Sequence, residues 1–146
     1  MADRFVLHRH ETARPHVDLG LALPGRLACW RLGGGLSLDT HIHLRAERVA
    51  DRPLDYLIFE GLALSLDCDA GPMTIIDTGR LHNHSLGERG RPVELDAAVD
   101  AGEVRIWLEG ATFQGGWDLT RAGELWQLTK VVDIVAMARA AARLSA

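Results

Sequence analysis

Apolar and polar residues alternate along much of this chain, and the alternation predicts short strands. In residues 16–23 every second position is apolar, as expected for a strand that has one face in a core. His16 and Asp18 fall on the other face of this strand. Pro24-Gly25 is a turn signal, and a second strand is predicted at 27–32.

The rest of the chain continues in the same way, with little helix. Further strands are predicted at 43–49, 73–76, 103–108, 112–120 and 124–130, with an apolar run at 56–64 and a polar loop at 86–92. The strand at 73–76 is expected to end at Asp77-Thr78-Gly79. Short helices are predicted at 95–101, closed by Gly102, and at 132–145, where the apolar period becomes helical. Many short strands with tight turns indicate an all-β sandwich or barrel.

Length and composition limit the classes of protein to consider. A chain of 146 residues is expected to form a single domain, residues 1–146. The net charge of −4 argues against binding of nucleic acid through bulk positive charge, although a local basic groove remains compatible with it. Cys29 and Cys68 have no metal-type spacing and are expected to be free thiols. With no secretory signal and no apolar run long enough to span a membrane, we expect a cytoplasmic protein.

Three residues near the N-terminus form a candidate metal site. His10 ends an earlier apolar segment, and it can reach the face that carries His16 and Asp18 if the two segments lie side by side. Two imidazoles and one carboxylate leave coordination positions open, as a catalytic metal requires. The alternative is that these are solvated residues on a strand. The same set also describes non-haem iron oxygenases, but there the lone histidine usually follows the His-x-Asp pair, and here it precedes it.

Other polar residues offer weaker candidates. His41 and His43 are two apart and either bind a second metal or are solvated, whereas His82 and His84 adjoin a polar loop and are expected at the surface. A phosphate groove near the proposed metal site is predicted from four arginines that are close to it in sequence. They are Arg4, Arg9, Arg14 and Arg45.

Residues 5–19 resemble the opening of the 3′-phosphoesterase domain of bacterial DNA ligase D, which has an apolar strand, a histidine, a short arginine-containing linker and His-x-Asp. The resemblance continues, in the family's order, to about Lys130. It is carried by Leu27–Trp30, Ser37-Leu38-Asp39, Pro53-Leu54-Asp55-Tyr56, Phe59-Glu60-Gly61, Ile75-Ile76-Asp77-Thr78-Gly79, Ile106-Trp107-Leu108-Glu109-Gly110, Gly115-Gly116-Trp117-Asp118-Leu119 and Leu125-Trp126-Gln127-Leu128-Thr129-Lys130.

The resemblance implies a compact β-barrel (residues 5–130) with a divalent metal, usually manganese, at one rim. It implies trimming of DNA or RNA 3′ ends, in which a terminal ribonucleoside and then a 3′-phosphate are removed, and it allows a separate DNA ligase or polymerase as a partner. His10, His16 and Asp18 match the family's metal-site residues, and Tyr56 matches an active-site tyrosine.

The chain departs from the family at several positions. Gly20 stands where the family has an arginine, and Arg52 replaces the catalytic histidine of His-Pro-Leu-Asp-Tyr; His41 and His43 are candidates to replace that histidine. Gly33-Gly34-Gly35 replaces a lysine-containing turn, and residues 66–70 replace an acidic, glycine-rich loop. Arg52, with Arg14 and Arg45, is a candidate phosphate ligand. These departures leave two expectations open: an active phosphoesterase, or an impaired relative that binds metal or nucleic-acid ends. If they weaken catalysis, restoring arginine at position 20 and histidine at position 52 should raise turnover.

Overall fold

The computed structural model of the chain describes residues 3–33, 43–63 and 71–131. Within these ranges the strands are β1 Arg4–His10, β2 His16–Leu23, β3 Arg26–Leu32, β4 His43–Arg52, β5 Gly61–Ala63, β6 Gly71–Asn83, β7 Glu103–Gly110, β8 Gln114–Ala122 and β9 Leu125–Val131. One α-helix, α1 Leu95–Ala101, and two 3-10 turns, Leu54–Leu57 and Glu88–Gly90, complete this part of the fold. The helix predicted at 132–145 lies outside the described residues.

Eight of the strands form a closed antiparallel barrel, which confirms the predicted fold class and decides between barrel and sandwich. The strand order is β1-β2-β3-β4-β9-β8-β7-β6, and β6 pairs back with β1 to close the sheet. The short strand β5 pairs with β6 outside this ring. The order places β1 between β2 and β6, so the N-terminal strand is the closing strand of the barrel.

The main core fills the inside of the barrel. The apolar residues of β2 that alternate with His16 and Asp18 belong to this core, together with Trp30, Trp117 and Phe113, all at most 1% exposed. A smaller apolar cluster lies on the outer face, where the segment 53–60 covers β1 to β3. Its buried members are Val6, Ala22, Leu27, Cys29 and Leu57. Removal of such side chains from water is the main stabilising contribution, roughly 1.5–3 kcal/mol for each large one.

The helix prediction at 95–101 is confirmed, and Gly102 ends the helix in a left-handed conformation (φ 79°) that glycine adopts without steric cost. The predicted end of the strand at 73–76 is wrong, because β6 continues through Asp77-Thr78-Gly79 to Asn83. The Gly79 backbone lies so close to the Glu109 carbonyl that a Cβ would clash, so this glycine permits strand packing rather than a turn. Among the described residues, no helix is both long and apolar enough to cross a membrane.

Candidate metal centre

The hairpin of β1 and β2 brings the three predicted ligands together at one rim of the barrel, on its outer face. His10 is paired with His16 across the two strands, and Asp18 lies two residues further along β2. One ligand atom from each of the three side chains lies within 4.8 Å of the others. The pairing register that sends the leucines of β2 inward therefore points these three side chains outward to a common point.

The cluster is buried, and several of its polar atoms have no partner. His10 is fully buried and Asp18 is 1% exposed. Both ring nitrogens of His10, His16 Nε2 and Asp18 Oδ1 make no well-aligned hydrogen bond within the described part of the chain, although the Gly71 backbone lies near His10 and His16 Nε2 lies 3.4 Å from Asp18 Oδ1. Buried polar atoms without partners cost about 1–3 kcal/mol each. A cation bound between these atoms would satisfy them, so the donor set fits a divalent metal.

The orientation of His16 favours metal ligation through Nε2. Its Nδ1 lies 3.2 Å from the Arg14 carbonyl oxygen, which can only accept a hydrogen bond, so Nδ1 donates the proton. In a neutral ring the lone pair is then on Nε2, which lies 3.4 Å from Asp18 Oδ1. A backbone carbonyl on the second ring nitrogen is the usual way in which a metal-binding histidine is oriented.

His10 is held in the form that binds metals. Burial lowers the pKa of this imidazole below its ordinary value, and the neighbouring His16 lowers it further. The two rings meet edge to face with centroids 5.0 Å apart. His10 is therefore neutral at physiological pH, as metal ligation requires.

Arg52 links the cluster to the segment that covers the outer face. Its Nη2 donates to Asp18 Oδ2 over 2.9 Å, which leaves Oδ1 on the side of the histidines. Its guanidinium carbon also lies 5.8 Å from the centroid of Tyr56, which stacks on Phe59 at 4.8 Å. The structure thus places Arg52, the last residue of β4, in direct contact with the cluster, and Tyr56 of the covering segment beside Arg52.

His8 is part of this region and was not singled out from the sequence. It is 1% exposed, is paired with Asp18 across the strands, and its Nε2 donates to the Phe59 carbonyl over 2.9 Å. Burial lowers the pKa of His8, so the neutral ring acts as a structural link between β1 and the covering segment. Its position two residues before His10, on the same strand face, is the signal that could have found it.

Comparison with known proteins identifies the family. The family described as "DNA Ligase D 3'-phosphoesterase domain" matches residues 8–121. The chain belongs to this family.

Curated relatives agree with the match. Each of the following is 30% identical to this chain: the multifunctional non-homologous end joining protein LigD of Pseudomonas aeruginosa over 89% of the chain, the LigD DNA repair protein of Mycobacterium tuberculosis over 84%, and LigD of Mycolicibacterium smegmatis over 90%. The chain spans only 15%, 15% and 17% of these three proteins, respectively. It therefore corresponds to one domain of much larger repair proteins.

Two of the four arginines predicted near the candidate metal site lie in a groove beside it. Arg14 and Arg45 line a groove of about 340 Å³ that begins at His16, together with Arg31, which sequence reasoning did not select. Arg4 instead lines a separate depression beside Arg80. The fourth arginine, Arg9, is exposed on β1, and its Nε lies 4.0 Å from Oε1 of Glu11.

Among the described residues, the remaining histidines and the cysteine lie outside the cluster. His43 is exposed and forms a hydrogen bond with Thr129 over 3.0 Å, and His41 lies outside the described residues. His82 and His84 are exposed, as predicted. Cys29 is a buried free thiol whose pKa is raised by burial to about 12, while Cys68 is outside the described residues.

Proposed function

We propose that this chain is a metal-dependent phosphoesterase that heals nucleic-acid 3′ ends in DNA repair, by removing a 3′-ribonucleoside and a 3′-phosphate. The observation that supports this most directly is the buried cluster of unpartnered nitrogen and oxygen atoms on His10, His16 and Asp18. Membership of the 3′-phosphoesterase family supplies the reaction class.

In this proposal His10, His16 and Asp18 hold one divalent cation, with Mn²⁺ the ion implied by the family resemblance. When bound, such an ion polarises a phosphoryl oxygen and lowers the pKa of a bound water. The protein contributes the dry, preformed site. Arg52 fixes Asp18 through Oδ2, and the Arg14 carbonyl fixes the His16 ring, so the ligands need little rearrangement.

Arg52 at the end of β4 and Tyr56 in the covering segment lie beside each other and are the candidate substrate contacts. A guanidinium binds phosphate oxygens by forked hydrogen bonds but stays protonated at neutral pH, so Arg52 can bind the phosphate and cannot act as a general acid. The Tyr56 hydroxyl can donate a hydrogen bond or a proton to a phosphoryl oxygen. We therefore assign binding to Arg52 and proton donation to Tyr56.

The test is end conversion by the purified protein with Mn²⁺ and a labelled duplex that carries a 3′-phosphate or a single 3′-ribonucleotide. We expect conversion to a 3′-hydroxyl, with a loss of at least about 100-fold in His16→Ala. His82→Ala is the matched control, because His82 is an exposed histidine on β6 that pairs with Glu109 rather than with the cluster. Equal conversion by His16→Ala and the wild type would contradict the proposal.

A second function is a non-catalytic module that binds a metal or nucleic-acid ends. The observation that favours it is Arg52, which replaces the histidine implied by the family resemblance and cannot transfer protons. One equivalent of bound manganese without any end conversion would support this function over the first.

The wider setting belongs to the same proposal. We infer a cytoplasmic protein whose healed 3′ ends pass to a separate DNA ligase or polymerase. We also propose that residues 1–146 act as one domain, with the barrel at 5–130 followed by the helix at 132–145.

A further inference from the structure

A basic groove runs from the metal cluster across β2, β3 and β4. Among the residues that the structure describes, it is lined by Arg14, Arg31 and Arg45 and by one carboxylate, that of Glu47. None of the three arginines forms an ion pair with a carboxylate among the residues that the structure describes. The groove is therefore a positive surface on a chain whose net charge is −4.

Arg31 is the central residue of this groove. It lies on β3, paired with Asp18 on one side and Glu47 on the other. Its Nε is buried and has no hydrogen-bond partner in the described part of the chain. The side chain as a whole is half-buried, and a forked contact from an anion in the groove would give this Nε a partner.

The groove is long enough to contact more than one phosphate of a strand. His16 lies on β2 and Arg45 on β4, with β3 between them. The carbonyl oxygen of Arg45 accepts the amide of Gly33, the residue that follows β3, so Arg45 lies beside the end of that strand. Two inter-strand spacings are about 10 Å. A nucleic-acid strand advances only about 3.4 Å per phosphate along its axis, so this distance covers more than one phosphate.

We propose that Arg31, with Arg14 and Arg45, binds internal phosphates of the strand whose 3′ end enters the metal cluster. The chain then recognises ends of polynucleotides and discriminates against free nucleotide 3′-phosphates. This inference rests on the proposed function, since it takes the cluster as the position of the 3′ end.

The experiment compares binding of an octanucleotide and a dinucleotide, both with a 3′-hydroxyl so that neither is consumed. Fluorescence anisotropy of the labelled octanucleotide, with unlabelled competitors, gives both affinities over a range of salt concentrations. We expect the wild type to bind the octanucleotide at least tenfold more tightly. Arg31→Met should lose about five- to tenfold of the octanucleotide affinity and leave dinucleotide affinity unchanged.

The salt dependence supplies a second readout. Removing one phosphate contact should reduce the slope of log affinity against log salt by about 0.7 for a single strand, and Arg31→Lys should retain the slope. Arg80→Met removes the same charge from the other depression and should bind like the wild type. Arg45→Met tests the groove from another strand if Arg31→Met does not fold.

The outcomes separate the two proposals. Unchanged octanucleotide affinity and salt slope in folded Arg31→Met, or in Arg45→Met if Arg31→Met does not fold, would overturn the groove assignment, even if 3′-phosphates are removed. If inorganic phosphate competed with the labelled octanucleotide as well as the unlabelled octanucleotide does, the groove assignment would also be overturned. Loss of octanucleotide binding in Arg31→Met, with no end conversion by the wild type, would support the groove and reject the phosphoesterase.

Discussion

Gly20 lies on the outer face of β2, two residues after Asp18, where the family resemblance implies an arginine. A Cβ at this position would lie 2.9 Å from Leu27 Cδ2 and 3.1 Å from Val6 Cγ1, and both of those side chains are fully buried. A guanidinium nevertheless reaches Asp18, because Arg52 extends to it from β4. The site therefore has an arginine from a different strand, and the neighbours of Gly20 have packed into the free space.

Gly20→Arg should consequently destabilise the protein instead of restoring activity. Forcing a larger side chain between Val6 and Leu27 is expected to lower the free energy of unfolding by about 1–3 kcal/mol. Chemical denaturation measures this, with Gly33→Ala as the control, because a Cβ at Gly33 would meet its nearest atom at an ordinary 3.4 Å. A Gly20→Arg, Arg52→His variant with wild-type stability and faster turnover would show that the sequence-based expectation of restored activity was right.

The segment 53–60 is the element that covers the candidate site. It contains the 3-10 turn Leu54–Leu57, packs onto the outer-face cluster through Leu57, and is linked to β1 by the hydrogen bond from His8 to Phe59. Since Tyr56 lies within this segment, the His8 link positions a proposed catalytic group.

Replacing His8 by Phe keeps a ring at this position and removes the N–H that donates to Phe59. The change should therefore loosen the segment 53–60. The Phe59 carbonyl would lose its donor, at a cost of about 1–3 kcal/mol. Hydrogen exchange should become faster in residues 53–60 and stay unchanged in β7 and β8, on the far side of the barrel. Equal exchange rates in the variant and the wild type would mean that packing alone holds the segment.

The turn between β7 and β8 is held by Asp77 of β6. Its carboxylate accepts backbone amides from Thr78, Ala111, Thr112 and Phe113. Burial alone would raise the pKa of Asp77, but these four hydrogen bonds outweigh it and lower the pKa below its ordinary value. The ionised carboxylate is thus the form that the fold stabilises.

Asp77→Asn should lower the free energy of unfolding by about 2–4 kcal/mol at neutral pH, because the amide carries one acceptor oxygen and no charge. A lowered pKa in the folded state contributes stability that is present above the unfolded value of about 3.9 and is lost as pH falls through the folded value. The difference between variant and wild type should therefore shrink below about pH 4. Urea denaturation at several pH values measures it, and a difference independent of pH would contradict this account.

Local signals explain which elements the sequence could predict. The bounds of β2 and α1 match the predicted ranges. The alternation in β2 and the glycine that ends α1 are both local signals, which depend only on residues nearby in the sequence. The role of Asp77-Thr78-Gly79 inside β6 could not be predicted, because three of the four partners of Asp77 lie 34 to 36 residues further along the chain, where local patterns do not show them. The clustering of His10, His16 and Asp18 could be predicted from strand faces, whereas the position of Arg31 in a groove became visible only when β4 was placed beside β3.

At the scale of the whole molecule, barrel closure and the metal cluster share one strand. β1 pairs with both β2 and β6, and it carries His10 on its outer face and Phe5 in the inner core. Loss of β1 would open the barrel and at the same time remove His10 from the cluster. Metal binding should therefore be coupled to folding of the entire barrel.

Phe5→Ala should test this coupling. Its removal from the core is expected to lower the free energy of unfolding by about 3–5 kcal/mol. Tryptophan fluorescence and manganese release, followed in the same thermal scan, should shift together to lower temperature. Leu125→Ala, at a side chain that is 63% exposed, should leave both transitions almost unchanged. Release of manganese well before the fluorescence transition would contradict the coupling.

His10, His16 and Asp18 point outward, while the main-core apolar side chains of the same two strands point into the barrel. The groups of the candidate site and the groups that pack the main core therefore lie on opposite faces of β1 and β2. In β2, substitutions at 16 and 18 change the groups of the candidate metal site, while substitutions at 17 and 19 change how the interior fits. The polar groups of the outer face could thus be exchanged for another set without redesigning the interior.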